Sequence, residues 1–320
     1  MPRQPILDFY ARPAALTSGG RYAARLGGLP SNIAELCGVV QGLVIHEFMA
    51  GAYGMTVPEP RRLESHVRPL EQMLDRLLAL DASPLTVARP PDRRLVGVCR
   101  HFAVLLVGVL RAQGVAARVR CGFGAYFNPP YFEEHYVCEY WNAAATRWVL
   151  VDPQFDDVWR RELRIEHDVL DLPRDRFLIA ADAWMACRSG RADPSKFGIL
   201  VGDLRGLWFI AAELVRDLAA LNRMEMLPWD DWGAMPLPDE PLAEDELAPF
   251  DRIAQVTRAP DTTFASLRRL YDQDESLRVP EMVYNVVLAR PEEVAATEPL
   301  AVSHWPLAIG ASSDVPTANG

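Results

Sequence analysis

The chain has 320 residues, half of them apolar, and a formal charge of −10 spread along its length. That size allows one elaborated domain or two, with room for a large core. A diffuse negative charge does not suit the phosphate backbone of nucleic acids, and no apolar run reaches the roughly 18–20 residues of a membrane span.

In chain order, the opening Met1-Pro2-Arg3-Gln4-Pro5 lacks the basic and apolar regions of a secretion signal. Asn32 and Glu35 have the spacing of a capping box, and Ile33, Leu36, Val40, Leu43, Val44 and Phe48 then recur at helical spacing. A second amphipathic helix is expected near 64–80, with Leu70, Met73, Leu74, Leu77 and Leu78 on one face. Residues 98–113 are apolar on almost every side, which puts that helix in the middle of a domain, and Gly114 stands where a helix ends.

Three strand-like runs rich in Val, Tyr and Trp follow at 115–123, 135–141 and 147–152. The order predicts an α+β fold, with a central helix packed on an antiparallel sheet. Farther on, helices are expected over 204–221, 242–257 and 263–272, with a loop rich in Pro, Asp and Glu from 227. The division predicted is a helical part over 1–90, a catalytic core over 91–160, a mainly helical extension covering it over 161–290, and a flexible tail over 291–320.

Cys99 stands where a loop meets the buried helix. The unpaired N–H groups and dipole of a helix N-terminus favour thiolate, the nucleophilic form, and can also hold an oxyanion. Gly97 permits close approach of the backbone there. If 140–141 and 146–147 flank a tight turn, His135 lies opposite Asp152, and Val137–Leu150 and Glu139–Trp148 pair on the same face. An acid so placed can orient an imidazole. Five scattered cysteines do not form a disulfide framework, and a lone reactive thiol fits a reducing cytoplasm. Of the basic residues only Lys196 is a lysine, which reads as GC-rich bacterial coding.

Several segments resemble the transglutaminase-like superfamily. Gly97-Val98-Cys99-Arg100-His101-Phe102-Ala103 is similar to its nucleophile motif, G-x-C-x-x-F-A. Residues 110–118 are similar to L-R-x-x-G-I-P-A-R, with Ala116 in place of Pro. His135 with Glu139 matches H-x-W-x-E, and Trp148 with Asp152-Pro153 matches W-x-x-x-D-P. The resemblance spans about 93–155 and implies a papain-like core with Cys99, His135 and Asp152 as a catalytic triad; no calcium-binding acidic loop is apparent in the sequence, and neither metal nor cofactor is expected. Arg100 and Val137 stand where relatives carry Trp, near the expected acyl-donor channel, which argues against protein glutamine as donor.

The activity implied is acyl transfer through a cysteine thioester, from a small-molecule, peptide or carrier-protein-bound amide or thioester, resolved by water or an amine. A Dieckmann-type cyclase releasing a polyketide–peptide chain and a non-catalytic binding module of the same fold are the alternatives. The two ligand-like pairs Cys99/His101 and His135/Cys138 argue poorly for zinc, because residues two apart on a helix or three apart on a strand point different ways. Cys121, Cys138 and Cys187 are expected to be inert. Trp184, Trp208, Trp229 and Trp232 form either a second layer of core or a lid over the thiol.

Overall fold

The computed structural model of the protein describes residues 2, 4–200, 202–238 and 241–295. Its first part holds helices α1 (Gln4–Tyr10), α2 (Ala23–Gly27), α3 (Ile33–Leu43), α4 (Glu59–Arg62) and α5 (Leu70–Leu80). The Asn32 side chain accepts the N–H groups of Ala34 and Glu35, donors that the first turn of α3 would leave unpaired. The helical spacing suggested to Phe48 breaks at β-branched Val44 and Ile45, which are extended. There β1 (Val44–His46) runs parallel to β2 (Leu95–Gly97), with His46 opposite Gly97. The helix expected from 64 forms only from Leu70, because Pro69 disfavours helical geometry in the residue before it.

Helix α6 (Cys99–Ala112) is buried along its length, from Cys99 to Arg111. Gly114, at φ 75°, ends it in the left-handed conformation. The chain then builds the antiparallel strands β3 (Ala117–Gly124), β4 (Phe132–Asn142) and β5 (Arg147–Val151). The β4–β5 register differs from the expected one. Glu139 faces Leu150 and Trp141 faces Trp148, around a loop of residues 143–146 in which Asn142 Oδ1 accepts the Ala145 N–H. The displacement is even, so alternation along the strands keeps His135 and Asp152 on one face.

Beyond β5 lie α7 (Asp157–Glu162), β6 (Phe177–Ile179), α8 (Ala180–Arg188), β7 (Phe197–Ile199), β8 (Leu204–Arg205) and α9 (Leu207–Leu221). They are followed by β9 (Asp230–Asp231), α10 (Leu247–Arg258), α11 (Phe264–Gln273), β10 (Met282–Asn285) and β11 (Arg290–Glu293). The main sheet runs β6-β3-β4-β7-β8, with β5 also on β4; β7 pairs parallel to β4, which makes the sheet mixed. The start of the expected tail is β11, antiparallel to β10, and residues 296–320 lie outside the described residues.

Apolar residues fill both faces. Val119, Cys121, Tyr136, Cys138, Val149 and Val151 pack with α6. Val137, Leu150, Phe155 and Trp159 join the layer built by α8, α9 and α10. Each large side chain removed from water contributes about 1.5–3 kcal/mol to this packing. The fold is α+β, a central helix on a largely antiparallel sheet. Residues of the first and last parts share a core, as in the hydrogen bond from the Tyr10 hydroxyl to the Leu221 carbonyl at 3.0 Å.

Candidate active site

Cys99 opens α6 after Val98, whose extended backbone (φ −124°, ψ 180°) turns the chain into the helix. His101 Nδ1 accepts the Val98 N–H at 3.1 Å, so this histidine caps the turn from within and is fully buried. Burial, with Arg100 alongside, pushes His101 well below the usual imidazole range and keeps it neutral. Gly97 is required by that packing, since a Cβ there would lie 2.8 Å from the Cβ and Cγ of His101.

Strand β4 brings the next group. On the edge away from β3 it pairs with β7 at Phe132 and Glu133 and with β5 from Cys138 onward. Between those pairings, residues 134–137 have no strand on that edge among the described residues. The Cys99 thiol lies against this gap, within reach of the backbone N–H groups of Tyr136 and Arg100. Residue 135, next along the strand, is the expected histidine.

His135 Nε2 lies 2.6 Å from Asp152 Oδ2, with both side chains buried. Asp152 stands just past β5, where its N–H donates to the Val169 carbonyl at 2.8 Å. Its Oδ1 accepts the Gln154 N–H at 3.1 Å, and its Oδ2 also accepts the Tyr126 hydroxyl at 2.9 Å. This leaves Nδ1 as the second nitrogen of the His135 ring. No hydrogen bond joins Cys99 to His135 among the described residues; the thiol meets the strand at the backbone of Tyr136, the next residue along.

The thiol is not the acidic one expected of a helix N-terminus. Burial pushes it well above the ordinary thiol range and Glu134 and Glu213 add to the effect, while the N–H groups of Tyr136 and Arg100 offset only part. Cys99 is 5 % exposed, His135 1 % and Asp152 0 %, so desolvation outweighs the dipole.

Other expectations shift as well. Arg100 does not line a channel: it is fully buried, and its Nε and Nη2 hold the Glu225 carbonyl at 2.8 and 2.6 Å. Val137 is sealed in the core. The remaining residues of the resembling segments tie the sheet together. Glu139 accepts from Arg118 Nε at 2.7 Å and Arg174 Nη2 at 2.8 Å, and Arg118 stacks over Trp148 at 3.9 Å. Trp184 is a core residue whose Nε1 donates to Asp251 at 2.7 Å, and Trp232 is likewise buried. The rings around His135 are instead Tyr126, Phe127, Phe155 and Phe177, at 4.9–6.3 Å. Among the described residues, no group of three or more His, Cys, Asp or Glu side chains is arranged to hold a metal ion.

Tyr126 and His46 were not singled out from the sequence. Tyr126 sits in an aromatic loop before Asn128-Pro129-Pro130, and only the folded chain brings its hydroxyl to Asp152. His46 reaches the site through the pairing of β1 with β2. Burial, with His135 nearby, pushes it down to about 3, and its Nδ1 accepts the Phe48 N–H at 3.3 Å.

Residues 74–153 match the sequence model of the transglutaminase-like superfamily. This stretch is a transglutaminase-like core. The match covers Cys99, His135 and Asp152 and supports a cysteine-dependent enzyme in general terms. Among curated proteins, none matches the chain. A crystal structure of a candidate cysteine protease from Cytophaga hutchinsonii aligns with 16% identity and a TM-score of 0.29, over 54% of this chain and 47% of that one. The chain thus spans about half the length of that structure, and so low a score carries no argument. No helix among the described residues is long and apolar enough to cross a membrane.

Proposed function

We propose that the transglutaminase-like core is a thiol acyltransferase or hydrolase in which Cys99 is the nucleophile, His135 the base and Asp152 the orienting acid. The observation that carries this reading is the 2.6 Å bond between His135 Nε2 and Asp152 Oδ2, one residue along the strand from the backbone N–H that meets the thiol. An Nε2–H donated to Asp152 fixes the tautomer and leaves the Nδ1 lone pair to take a proton.

Because burial holds the resting thiol neutral, general-base attack fits better than a preformed ion pair. As the Cys99 sulfur bonds to the carbonyl carbon of an amide or thioester, its proton passes to His135 Nδ1 and the carbonyl electron pair moves to oxygen. The backbone N–H groups of Tyr136 and Arg100, which already reach the sulfur, are the donors at hand for that oxyanion. Collapse breaks the bond to the leaving group, which takes the proton from Nδ1. Water or an amine then attacks the thioester, gives its proton to the same nitrogen and releases the Cys99 thiol. With the triad nearly sealed, an acyl donor reaches the sulfur only when side chains at the mouth of the gap move aside.

Intact-mass analysis after mixing with p-nitrophenyl acetate and an N-acetylcysteamine thioester tests the scheme. A single acyl adduct on Cys99, absent in Cys99→Ala and slowed in His135→Ala, is expected. Natively folded protein that acquires no adduct from either donor would refute it.

A further inference from the structure

Four polar side chains beside the thiol have no part in the chemistry above. Glu134 and Tyr136 project from one face of β4 at the gap, and Glu213 and Arg216 lie one turn apart on α9. Glu134 Oε1, Glu213 Oε1 and Arg216 Nε are sealed from solvent without a hydrogen-bond partner among the described residues. The Tyr136 hydroxyl, on a side chain only 1 % exposed, has beside it nothing better than the Cys121 thiol. The four lie within electrostatic reach of one another, and both glutamates act on Cys99. Buried polar groups are nearly always paired, so four converging orphans beside a nucleophile call for an occupant.

Charge narrows its chemistry. Two carboxyl groups face one guanidinium, and half-buried Asp231 adds a third acid near Arg216. Arg216 is already engaged, through Nη1 with Glu213 at 3.4 Å and through Nη2 with the Asp230 carbonyl at 3.2 Å. Burial, with too little positive charge around them, pushes Glu134 up to about 7 and Glu213 well above the usual carboxyl range. A neutral hydroxyl would fill an acceptor but leave the excess of acid. A protonated primary amine brings three N–H donors together with the missing charge.

We propose that Glu134, Tyr136 and Glu213, with Arg216 holding Glu213, form a recognition subsite for a protonated amine carried by the acyl donor, close to the carbonyl that Cys99 attacks. The identity of the ligand as an acyl donor rests on the function proposed above; the subsite can be tested without turnover.

The probes are three methanethiosulfonates of similar size, with 2-aminoethyl, methyl and 2-sulfonatoethyl groups, and the readout is the rate of Cys99 labelling by intact mass. Relative to their rates with free 2-mercaptoethanol, the aminoethyl reagent should exceed the sulfonatoethyl one by at least about tenfold, as expected for facing charges of limited solvation. That preference should fall toward the solution ratio in Glu134→Gln and Glu213→Gln. Equal relative rates, or a preference that survives both substitutions, would overturn the proposal. If none of the reagents reaches Cys99, thermal denaturation with propylammonium chloride and with 1-propanol decides. A saturable rise in melting temperature with the amine alone, lost in Glu213→Gln, supports the subsite; no such rise overturns it. A cation preference without any acyl adduct would keep the subsite and remove the reaction.

Discussion

The hydroxyl of Tyr126 offers a sharp test of how the acid is held. Tyr126→Phe removes one donor to Asp152 Oδ2 and changes little else, because the ring stays packed against Phe155 at 5.3 Å. Asp152 keeps His135 Nε2 at 2.6 Å and the Gln154 N–H at 3.1 Å, so the carboxylate is weakened but not orphaned. A buried hydrogen bond to a charged acceptor is worth about 1.5–3 kcal/mol, and the remaining partners put this one near the lower end. Urea denaturation should therefore report a loss of about 1.5–2 kcal/mol. Acyl-adduct formation on Cys99 should slow by up to about tenfold, the kinetic equivalent of about 1.4 kcal/mol. A purely structural role would give the same stability loss, so the deciding measurement is a double-mutant cycle with Asp152→Ala. Tyr126→Phe should slow acylation far less in the Asp152→Ala background than in wild type. Equal slowing in both backgrounds would refute the claim that Tyr126 acts through Asp152.

Three further outcomes follow from the same packing. Because burial holds the Cys99 thiol high, its labelling by iodoacetamide should keep rising into alkaline pH; a plateau already reached at mildly acidic pH would contradict this. Burial works against charge on Glu139, yet Arg118, Arg120 and Arg174 prevail and hold its carboxyl well below the usual range. A lowered folded value means stability that is present above the ordinary glutamate value of 4.5 and lost as pH falls below it, and acid unfolding followed by circular dichroism should show a shallower loss in Glu139→Gln. Gly97→Ala would drive a methyl into the His101 ring, and an overpacking cost of about 1–3 kcal/mol should appear as a lowered melting temperature.

Local signals were legible in proportion to how local their causes are. The Asn32 cap, the enclosed helix from Cys99 and the glycine that ends it depend on neighbours within a few residues. The shared face of His135 and Asp152 survived a wrong register because strand alternation is unchanged by an even shift. Arg100 misled for the opposite reason: beside Cys99 in sequence, it reaches the Glu225 carbonyl, 125 residues away. His46 was invisible for a similar reason. Its place comes from a parallel pairing between β1 and β2, and parallel neighbours leave no turn signal between them.

The gap in β4 links these observations to the chemistry. A strand continuously paired on both edges would have its N–H groups occupied and its edge closed to the start of a helix. Here β5 ends its pairing at Cys138 and β7 pairs only with Phe132 and Glu133, so the stretch between them is open to α6. The thiol takes the Tyr136 N–H there, His135 follows on the neighbouring position, and Glu134 sits on the other side of Tyr136. Pairing the gap would therefore do more than block access: it would take away the N–H that faces the sulfur. The same short interruption that admits the Cys99 thiol to the strand thus sets how hard that thiol is to ionise, and a cationic group seated by Glu134 and Glu213 would lower that cost.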